Sequence, residues 1–462
     1  MIQFILLSIF YFIIIFTKSN ETRQSVKKDS SYRSDIDVLF NTSGDYMNGT
    51  FSNENYTFDT AKSIYTGYPD WSFPIKYHIS KSLSYPQYTK VIKSVIRSIE
   101  AQTCITFQEV SDIKDNEPGL IFVHDSSICG SFVGKDPRNI VQKIFLAYDC
   151  AEGFGYVAHE VGHALGLSHE HTRYDRDNYI TIFKDHIIND KNILHNVMYK
   201  EDKNYKTLDD SPYDYGSVMH YRRFDFVTNY RFGVEGYEAM KAKNIEPYSW
   251  MMGQRKQYSF SDFKQLNLHY CDKKCNDFYT VSCKNGGYRN YKTCTRCICP
   301  RGYGGYYCEH IERIPGKCSD GTLVAIDKLT YLIAKGPKDC NYLIKAEDGI
   351  SNIYLRFGYV RTMYKDVCAQ GNGLEIRHEE NKGKTGLCLC GGFYGLEIVS
   401  DSSQVYIEFH GVFYNSEFQL RFAMMSRFST RPYLCWQNVC YEKEDNYYVK
   451  KEKNYRNIKI QD

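Results

Sequence analysis

At 462 residues the chain is too long for one ordinary domain, so we expect several domains. Its hydrophobic fraction of 42% and charged fraction of 24% are ordinary for a globular protein, and its formal net charge of +3 is small for this length. This balance gives no reason to propose a nucleic acid as a partner, because nucleic-acid-binding domains carry concentrated basic charge.

The amino-terminal segment determines the predicted compartment. Residues 2–16 are almost wholly apolar, and Lys18 ends the run, which is about the length of a signal-peptide core and short for a membrane span. We therefore predict a cleaved signal peptide over residues 1–19, with a membrane anchor as the less favoured alternative. The 17 cysteines agree, because disulfides persist outside the cytosol. We expect a secreted, extracellular protein with no stable membrane span.

Residues 20–61 are polar and show no clear periodicity, so we predict a pro-segment, with a disordered linker as the alternative. Glycosylation sequons fall close together in this segment, which indicates that it is exposed and loosely structured. The predicted glycosylation sites are Asn20, Asn41, Asn48 and Asn55.

A globular region follows this segment. Residues 88–102 carry apolar side chains at helical spacing and predict an amphipathic helix, whereas 120–123 and 144–148 predict short buried strands. The apolar face of the predicted helix consists of Val91, Ile92, Val95, Ile96 and Ile99.

The decisive pattern is a set of three histidines. His159 and His163 are four residues apart, so on a helix they share one face and two imidazoles can converge on one ion. Gly166 permits the left-handed turn that ends a helix, which allows His169 to return toward the same ion. Three neutral nitrogen ligands leave one coordination position open for water, which is typical of catalytic zinc. We therefore predict one Zn²⁺ ion per catalytic domain, bound by these three histidines.

Glu160 determines the predicted reaction at this site. It directly follows the first ligand and can reach a metal-bound water rather than the metal. Glu160 would take a proton from that water as it attacks a peptide carbonyl, and would then pass the proton to the leaving nitrogen. A surface helix with chance histidines is the alternative, but Gly166 and His169 have the spacing of a known zinc-protease motif. His171 and His220 lie outside that spacing, so we expect them to be structural or exposed.

The pattern changes twice after Cys271. Residues 275–308 contain six cysteines and little apolar material, so this segment needs disulfides to fold. A zinc knuckle is the alternative, which an oxidising compartment disfavours. Alternating runs such as 353–357 and 405–409 then indicate a β-sandwich.

The sequence around the histidines resembles the astacin family of metzincins. After the third histidine, Glu170 and the run Arg173-Tyr174-Asp175-Arg176-Asp177 match the family's extended motif, and Ser217-Val218-Met219-His220-Tyr221 resembles its Met-turn. The resemblance implies that Met219 is the apolar floor under the zinc. It implies that Tyr221 is a mobile ligand that stabilises the oxyanion, and that Glu170 binds the buried mature amino terminus.

The resemblance also implies a multidomain fold with the domain order of nematode astacins. An α+β metzincin catalytic domain would be followed by a small disulfide-rich EGF-like module and a β-sandwich CUB domain. The CUB segment lacks an acidic residue that calcium-binding CUB domains carry, so we predict no calcium. The implied boundaries are 1–19 for the signal peptide, 20–61 for the pro-segment, 62–272 for the protease domain, 273–309 for the EGF-like module, 318–425 for the CUB domain, and 426–462 for a C-terminal tail that is disordered from about Tyr441.

The resemblance implies most of the disulfide pairs. It leaves open whether Cys368 pairs with Cys390 or Cys388, and a Cys435–Cys440 pair would leave one of those two as the odd thiol. The implied pairs are Cys104–Cys271, Cys129–Cys150, Cys275–Cys294, Cys283–Cys297, Cys299–Cys308 and Cys318–Cys340.

Family pro-segments hold an aspartate on the zinc, and Asp45 is the candidate zymogen switch here. Compared with the family's spacing, two extra residues lie between Phe40 and Gly44-Asp45. An ordinary Gly-Asp turn is the alternative. Alignment places the mature amino terminus near residues 61–63, where the usual arginine is missing.

The predicted function is a secreted zinc endopeptidase, made as a zymogen, that hydrolyses extracellular proteins. Its EGF-like and CUB modules would bind a matrix or receptor protein. One competing interpretation is a binding protein with a retired protease domain, and another is a permanently latent zymogen that needs a partner protease. The complete set of ligands and general base favours the active protease.

Overall fold

The structure is a computed structural model that describes residues 70–114, 116–137, 140–201, 211–228, 233–275, 281–312, 318, 322–426 and 431–451. In chain order it contains an α+β region, a small disulfide-rich module and a β-sandwich, which confirms the predicted fold class. Among the described residues, no helix combines the length and apolar character that a bilayer span requires. The predicted signal peptide, Asp45 and the four sequon asparagines lie outside the described residues.

A five-stranded sheet forms the amino-terminal half of the α+β region. Its strand order is β2-β1-β3-β5-β4, and all neighbours are parallel except β4, which is antiparallel to β5. Its strands are β1 (Ile75–Ile79), β2 (Phe107–Glu109), β3 (Gly119–His124), β4 (Gly130–Ser131) and β5 (Val141–Leu146).

The predicted amphipathic helix is α1 (Pro86–Gln102), which begins with a proline at a position that favours helix starts. Its face of Ile92, Val95, Ile96 and Ile99 is buried in one core with the sheet. The short α2 (Tyr148–Ala151) leads into α3 (Phe154–Ala164), which carries the first two histidines and packs into the same core. The sheet and α1 therefore hold α3 from one side.

The second half of the α+β region has few regular elements. They include β6 (Ile180–Ile182) paired antiparallel with β7 (Met240–Ala242), α4 (Lys191–Met198), a 3₁₀ helix (Glu246–Trp250) and α5 (Phe260–Tyr270). Three shorter 3₁₀ helices are Glu170–Thr172, Arg176–Asn178 and Lys184–His186. A capping box of Ser259 and Asp262 starts α5. Residues 211–226 run between these elements as turns and irregular chain.

The small module consists of two short antiparallel ladders. One joins β8 (Tyr288–Arg289) to β9 (Cys297–Ile298), and the other joins β10 (Tyr303–Gly304) to β11 (His310–Ile311). Disulfides Cys275–Cys294, Cys283–Cys297 and Cys299–Cys308 crosslink the module.

Two sheets form the β-sandwich, and their inner faces share one core that includes Phe357, Ile376 and Phe409. The first has the order β12-β14-β20-β16-β17, and the second has the order β13-β21-β15-β19-β22-β23-β24, with β18 paired to β15. The first sheet comprises β12 (Thr322–Ala325), β14 (Asp339–Ala346), β16 (Leu374–Arg377), β17 (Leu387–Leu389) and β20 (Gln404–His410). The second comprises β13 (Thr330–Lys335), β15 (Asn352–Arg361), β18 (Gly392–Phe393), β19 (Leu396–Val399), β21 (Glu417–Met425), β22 (Tyr433–Trp436), β23 (Val439–Glu444) and β24 (Tyr447–Lys451).

The predicted C-terminal tail over 426–462 is wrong for residues 431–451. These residues form β22, β23 and β24, which extend the second sheet, and Tyr433 and Tyr448 are buried. The charges that suggested disorder, such as Glu444 and Lys450, lie at partly or fully exposed positions of these last strands. Charged side chains are usual on strands at a sheet edge, so a charged sequence does not exclude a strand there.

The remaining disulfides fix the ends of larger segments. Cys104–Cys271 joins the end of α1 to the end of α5, and Cys129–Cys150 crosslinks β4 to α2. The sandwich contains Cys318–Cys340, Cys368–Cys390 and Cys435–Cys440, and Cys388 is a buried free thiol.

Candidate metal centre

The end of α3 turns the chain back toward the helix. Gly166 has φ of 98°, its N–H donates to the His163 carbonyl over 2.7 Å, and the Leu167 N–H donates to the Gly162 carbonyl over 2.9 Å. This pair of bonds is a Schellman motif, in which a glycine in the left-handed region terminates the helix. The reversal brings His169 beside the two histidines of α3.

The three histidines converge through their Nε2 atoms. The distances are 3.0 Å between His159 and His163, 3.2 Å between His159 and His169, and 3.2 Å between His163 and His169. Three nitrogens that bind one tetrahedral zinc at its usual bond length are about 3.3 Å apart, so this triangle fits the ion. In the part of the chain that the structure describes, no other group of His, Cys, Asp and Glu side chains converges in this way.

Backbone carbonyls set the orientation of two of the rings. His159 Nδ1 lies 2.8 Å from the Val218 carbonyl, and His163 Nδ1 lies 2.7 Å from the Leu167 carbonyl. Because a carbonyl only accepts, each Nδ1 carries the proton and each Nε2 directs a lone pair at the centre of the triangle. These outer contacts favour metal binding through Nε2.

Aromatic side chains anchor the carbonyls of α3 and of the residue that follows it. Trp71 Nε1 donates to Ala164 over 2.8 Å, and the Tyr258 hydroxyl donates to Ala158 over 2.5 Å. The Tyr270 hydroxyl donates to the Leu165 carbonyl over 2.9 Å. Sequence reasoning missed these anchors, because each joins residues about a hundred positions apart and has no local pattern.

The predicted general base and oxyanion donor both lie close to the triangle. Glu160 is buried on α3 directly after His159. Tyr221 is fully buried, and its ring centroid lies 4.3 Å from that of His169 and 4.1 Å from that of His171, on which it stacks. The roles assigned to Glu160 and Tyr221 remain predictions.

Met219 packs directly against the metal-binding helix. A Cβ built on Gly162 would lie 2.9 Å from Met219 Sδ, so the turn approaches α3 as closely as a glycine permits. Asp262 at the start of α5 holds this turn, because its carboxylate accepts from Ser217 Oγ over 2.6 Å and from the Val218 N–H over 3.1 Å. Burial raises the pKa of Asp262 to about 6. The capping pattern Ser259-x-x-Asp262 could have indicated the helix start, but not the contact with the Met-turn.

Glu170 is buried beside the third ligand. Its Oε1 accepts from the Asp214 N–H over 2.7 Å and lies 3.7 Å from Arg173 Nη1. Burial raises the pKa of Glu170 to about 8, although Arg173 and the Asp214 N–H oppose the shift. The amino terminus that the family resemblance places here lies outside the described residues.

His171 and His220 are both fully buried, in agreement with a structural role rather than exposure. His220 Nδ1 donates to the Tyr221 carbonyl over 2.7 Å, so its Nε2 accepts from the Tyr213 hydroxyl over 2.7 Å. Burial lowers the pKa of His220 to about 3, which keeps the ring neutral.

Comparison with known proteins agrees with this geometry. Residues 63–271 match the family model described as Astacin, a peptidase family. Zinc metalloproteinase nas-23 of Caenorhabditis elegans is 36% identical over 304 residues, which cover 63% of this chain and 52% of that protein. Zinc metalloproteinase nas-34 of the same organism is 29% identical over 344 residues, which cover 74% of this chain and 54% of that protein. The chain thus matches about half the length of these curated relatives.

A solved structure, high choriolytic enzyme 1, is a hatching enzyme zinc-protease from Oryzias latipes and is 29% identical to this chain. The match covers 42% of this chain and 88% of that one, with a TM-score of 0.35. The family match spans both the histidine triangle and the turn that packs against α3. Residues 63–271 of this chain therefore form an astacin-family domain.

Proposed function

We propose that the protein is a secreted, zinc-dependent endopeptidase that is made as a zymogen and hydrolyses extracellular proteins. The observation that carries the proposal is the triangle of His159, His163 and His169, whose Nε2 atoms lie within 3.2 Å of one another. One triangle in the described catalytic region supports one zinc ion per catalytic domain.

The residues around the triangle can perform peptide hydrolysis. Zinc, when bound, supplies Lewis acidity and lowers the pKa of a coordinated water. Glu160 accepts a proton from the attacking water and donates it to the leaving amine nitrogen. The Tyr221 hydroxyl donates to the oxygen of the scissile carbonyl as negative charge develops there. Both side chains are buried, and a hydrogen bond or charge contact is stronger in such a low-dielectric site than in water.

Several features support secretion and zymogen control. The structure contains eight disulfides among the described residues, which fits an oxidising compartment. A buried carboxylate such as that of Glu170 is stabilised by a nearby positive charge. We propose that the amino group of the mature amino terminus supplies this charge. Asp45 is the proposed switch that occupies the metal in the zymogen.

Matrix or receptor proteins are the proposed partners of the small module and the sandwich, whose loop exposes Phe413 and Tyr414.

The test is cleavage of a quenched protein substrate by secreted protein whose pro-segment has been removed near residues 61–63. We expect o-phenanthroline to abolish cleavage and added zinc to restore it. Glu160→Ala should leave a folded, zinc-loaded protein with activity reduced by at least about 10²–10⁴-fold, because proton transfer is lost. Glu152→Ala is the matched control, since Glu152 is an exposed carboxylate in the segment just before α3.

Each outcome separates the candidate functions. Normal activity in Glu160→Ala, or loss of its zinc, would remove Glu160 as the base. Inactivity of correctly trimmed, zinc-loaded wild-type protein toward all protein substrates would instead favour a binding protein with a retired protease domain.

A further inference from the structure

The β-sandwich lies directly against the protease part of the chain. The loop of residues 378–386, between β16 and β17, contacts both the 214–216 segment and the 3₁₀ helix Glu246–Trp250. The Tyr248 hydroxyl lies 2.9 Å from His378 Nε2, and both side chains are buried. Tyr248 and Met251 of the protease part share one hydrophobic core with Ile376 of the sandwich.

Thr385 contacts the segment that leads into the Met-turn. Its hydroxyl donates to Asp214 Oδ2 over 3.0 Å. A Cβ built on Gly216 would lie 2.6 Å from Thr385 Cγ2, so no side chain fits between the two segments. Thr385 is 6% exposed and Asp214 is fully buried, so water does not replace this donor readily.

Asp214 connects this contact to the residues around the triangle. Its main-chain N–H donates to Glu170 Oε1 over 2.7 Å, and its Oδ1 accepts from the Gly216 N–H over 2.9 Å. The Ser217 N–H donates to its carbonyl over 3.0 Å, which starts the Met-turn. The Glu170 N–H in turn donates to the Met219 carbonyl over 3.1 Å. Glu170, which follows the third ligand, and Ser217, which starts the Met-turn, are therefore both bonded to Asp214. Thr385 holds Asp214 from the sandwich.

We propose that Thr385 of the sandwich is a positioning residue for the metal centre of the protease domain. It acts through Asp214, which fixes Glu170 beside His169 and fixes the start of the Met-turn. Asp262 holds the same turn from α5. The sandwich is accordingly a part of the catalytic unit and not only a module for binding partners. This inference rests on the proposed zinc protease function.

The test uses the full chain with Thr385→Val, which removes the hydroxyl and keeps the shape of the side chain. Zinc affinity of the metal-free protein is measured by competition with a chelator, and kcat and KM are measured on a peptide substrate. We expect zinc affinity and kcat to fall by about tenfold, the low end for groups that orient metal ligands, with KM unchanged. Thr385→Ser, which keeps the hydroxyl, should restore both values.

Two controls separate positioning from general stability. Thr362→Val removes an equally buried hydroxyl of the sandwich, which donates to the Leu389 carbonyl over 3.0 Å and accepts from the Gly391 N–H over 3.0 Å, both within the sandwich. Tyr248→Phe removes another bond of the same interface. Both variants should keep the zinc affinity and kcat of the wild type. If Thr385→Val does not fold, Thr385→Ala provides the same loss without a methyl group beside the carboxylate.

Wild-type zinc affinity and kcat in a folded Thr385→Val protein would overturn the proposal. Equal losses in Thr385→Val and Thr362→Val would also overturn it, because the effect would then be loss of sandwich stability. Zinc affinity remains measurable when cleavage is absent, so a failure of the protease assignment is distinguishable from a failure of the positioning role.

Discussion

At the scale of single residues, the site depends on which atom of each side chain faces the centre. Carbonyls of Val218 and Leu167 hold the Nδ1 protons of two histidines, so their Nε2 atoms are the available ligands. Tyr221 stands beside the third histidine, against the ring of His171. Tyr221, which is proposed to act on the substrate, is therefore in contact with a metal-binding histidine before any substrate is present.

Tyr221→Phe tests the oxyanion role at this scale. We expect kcat to fall by about 10²–10³-fold, because one donor to the developing charge is lost while the ring is retained. Zinc content, measured by elemental analysis, should be unchanged. The Tyr213 hydroxyl lies in the same region but is bonded to His220, so Tyr213→Phe is the matched control. Unchanged turnover in Tyr221→Phe would remove that hydroxyl from the reaction.

At the scale of elements, the metal centre depends on how α3 ends. The left-handed Gly166 reverses the chain, and the aromatic anchors on Ala158, Ala164 and Leu165 fix the helix in place. The Met-turn packs against α3 and is held by Asp262. The helix end and the turn therefore both contact residues that carry the three ligands.

Gly166→Ala tests the helix end. A residue with a Cβ at φ of 98° is strained, so we expect the free energy of unfolding to fall by about 1–2 kcal/mol and the zinc affinity to weaken as His169 moves. Gly166→Asn should lose less folding stability and less zinc affinity than Gly166→Ala, because asparagine tolerates the left-handed region better than alanine does. Denaturant unfolding and chelator competition measure the two quantities. Equal stability and zinc affinity in wild type and Gly166→Ala would show that the turn does not position His169.

At the scale of the whole molecule, the protease part and the sandwich share a buried interface. His378 is fully buried there, and burial lowers its pKa to about 3 from an ordinary value of 6.5. At pH values between these two pKa values, His378 is protonated in the unfolded chain and neutral in the folded chain. The contribution of His378 to folding stability is therefore complete above pH 6.5 and is lost progressively as the pH decreases.

His378→Gln tests this pH dependence. One such histidine costs up to about 2 kcal/mol of folding free energy between pH 6.5 and pH 5. Glutamine does not titrate and can still form a hydrogen bond with the Tyr248 hydroxyl. The variant should consequently lose less stability than the wild type over this range in denaturant unfolding. Parallel curves for the two proteins would contradict the buried, neutral state of His378.

The sequence predicts the features that are local in the chain. The i, i+4 histidines, Gly166 and the apolar face of α1 follow from periodicity, and the structure places them as expected in space. The contacts of Asp262 with the Met-turn and of Thr385 with Asp214 join residues 44 and more positions apart, so no local pattern reveals them. The strands of 431–451 were missed because their charges obscured a short alternation with only one face against the core.

X-ray absorption at the zinc edge measures directly whether the three histidines hold one catalytic zinc ion. The sample is the full secreted protein loaded with one equivalent of zinc. We predict three imidazole nitrogens at about 2.0–2.1 Å, with oxygen from water or Tyr221 as the remaining ligands and no sulfur in the coordination sphere. Sulfur at about 2.3 Å, or fewer than three imidazoles, would place the zinc elsewhere and contradict the account.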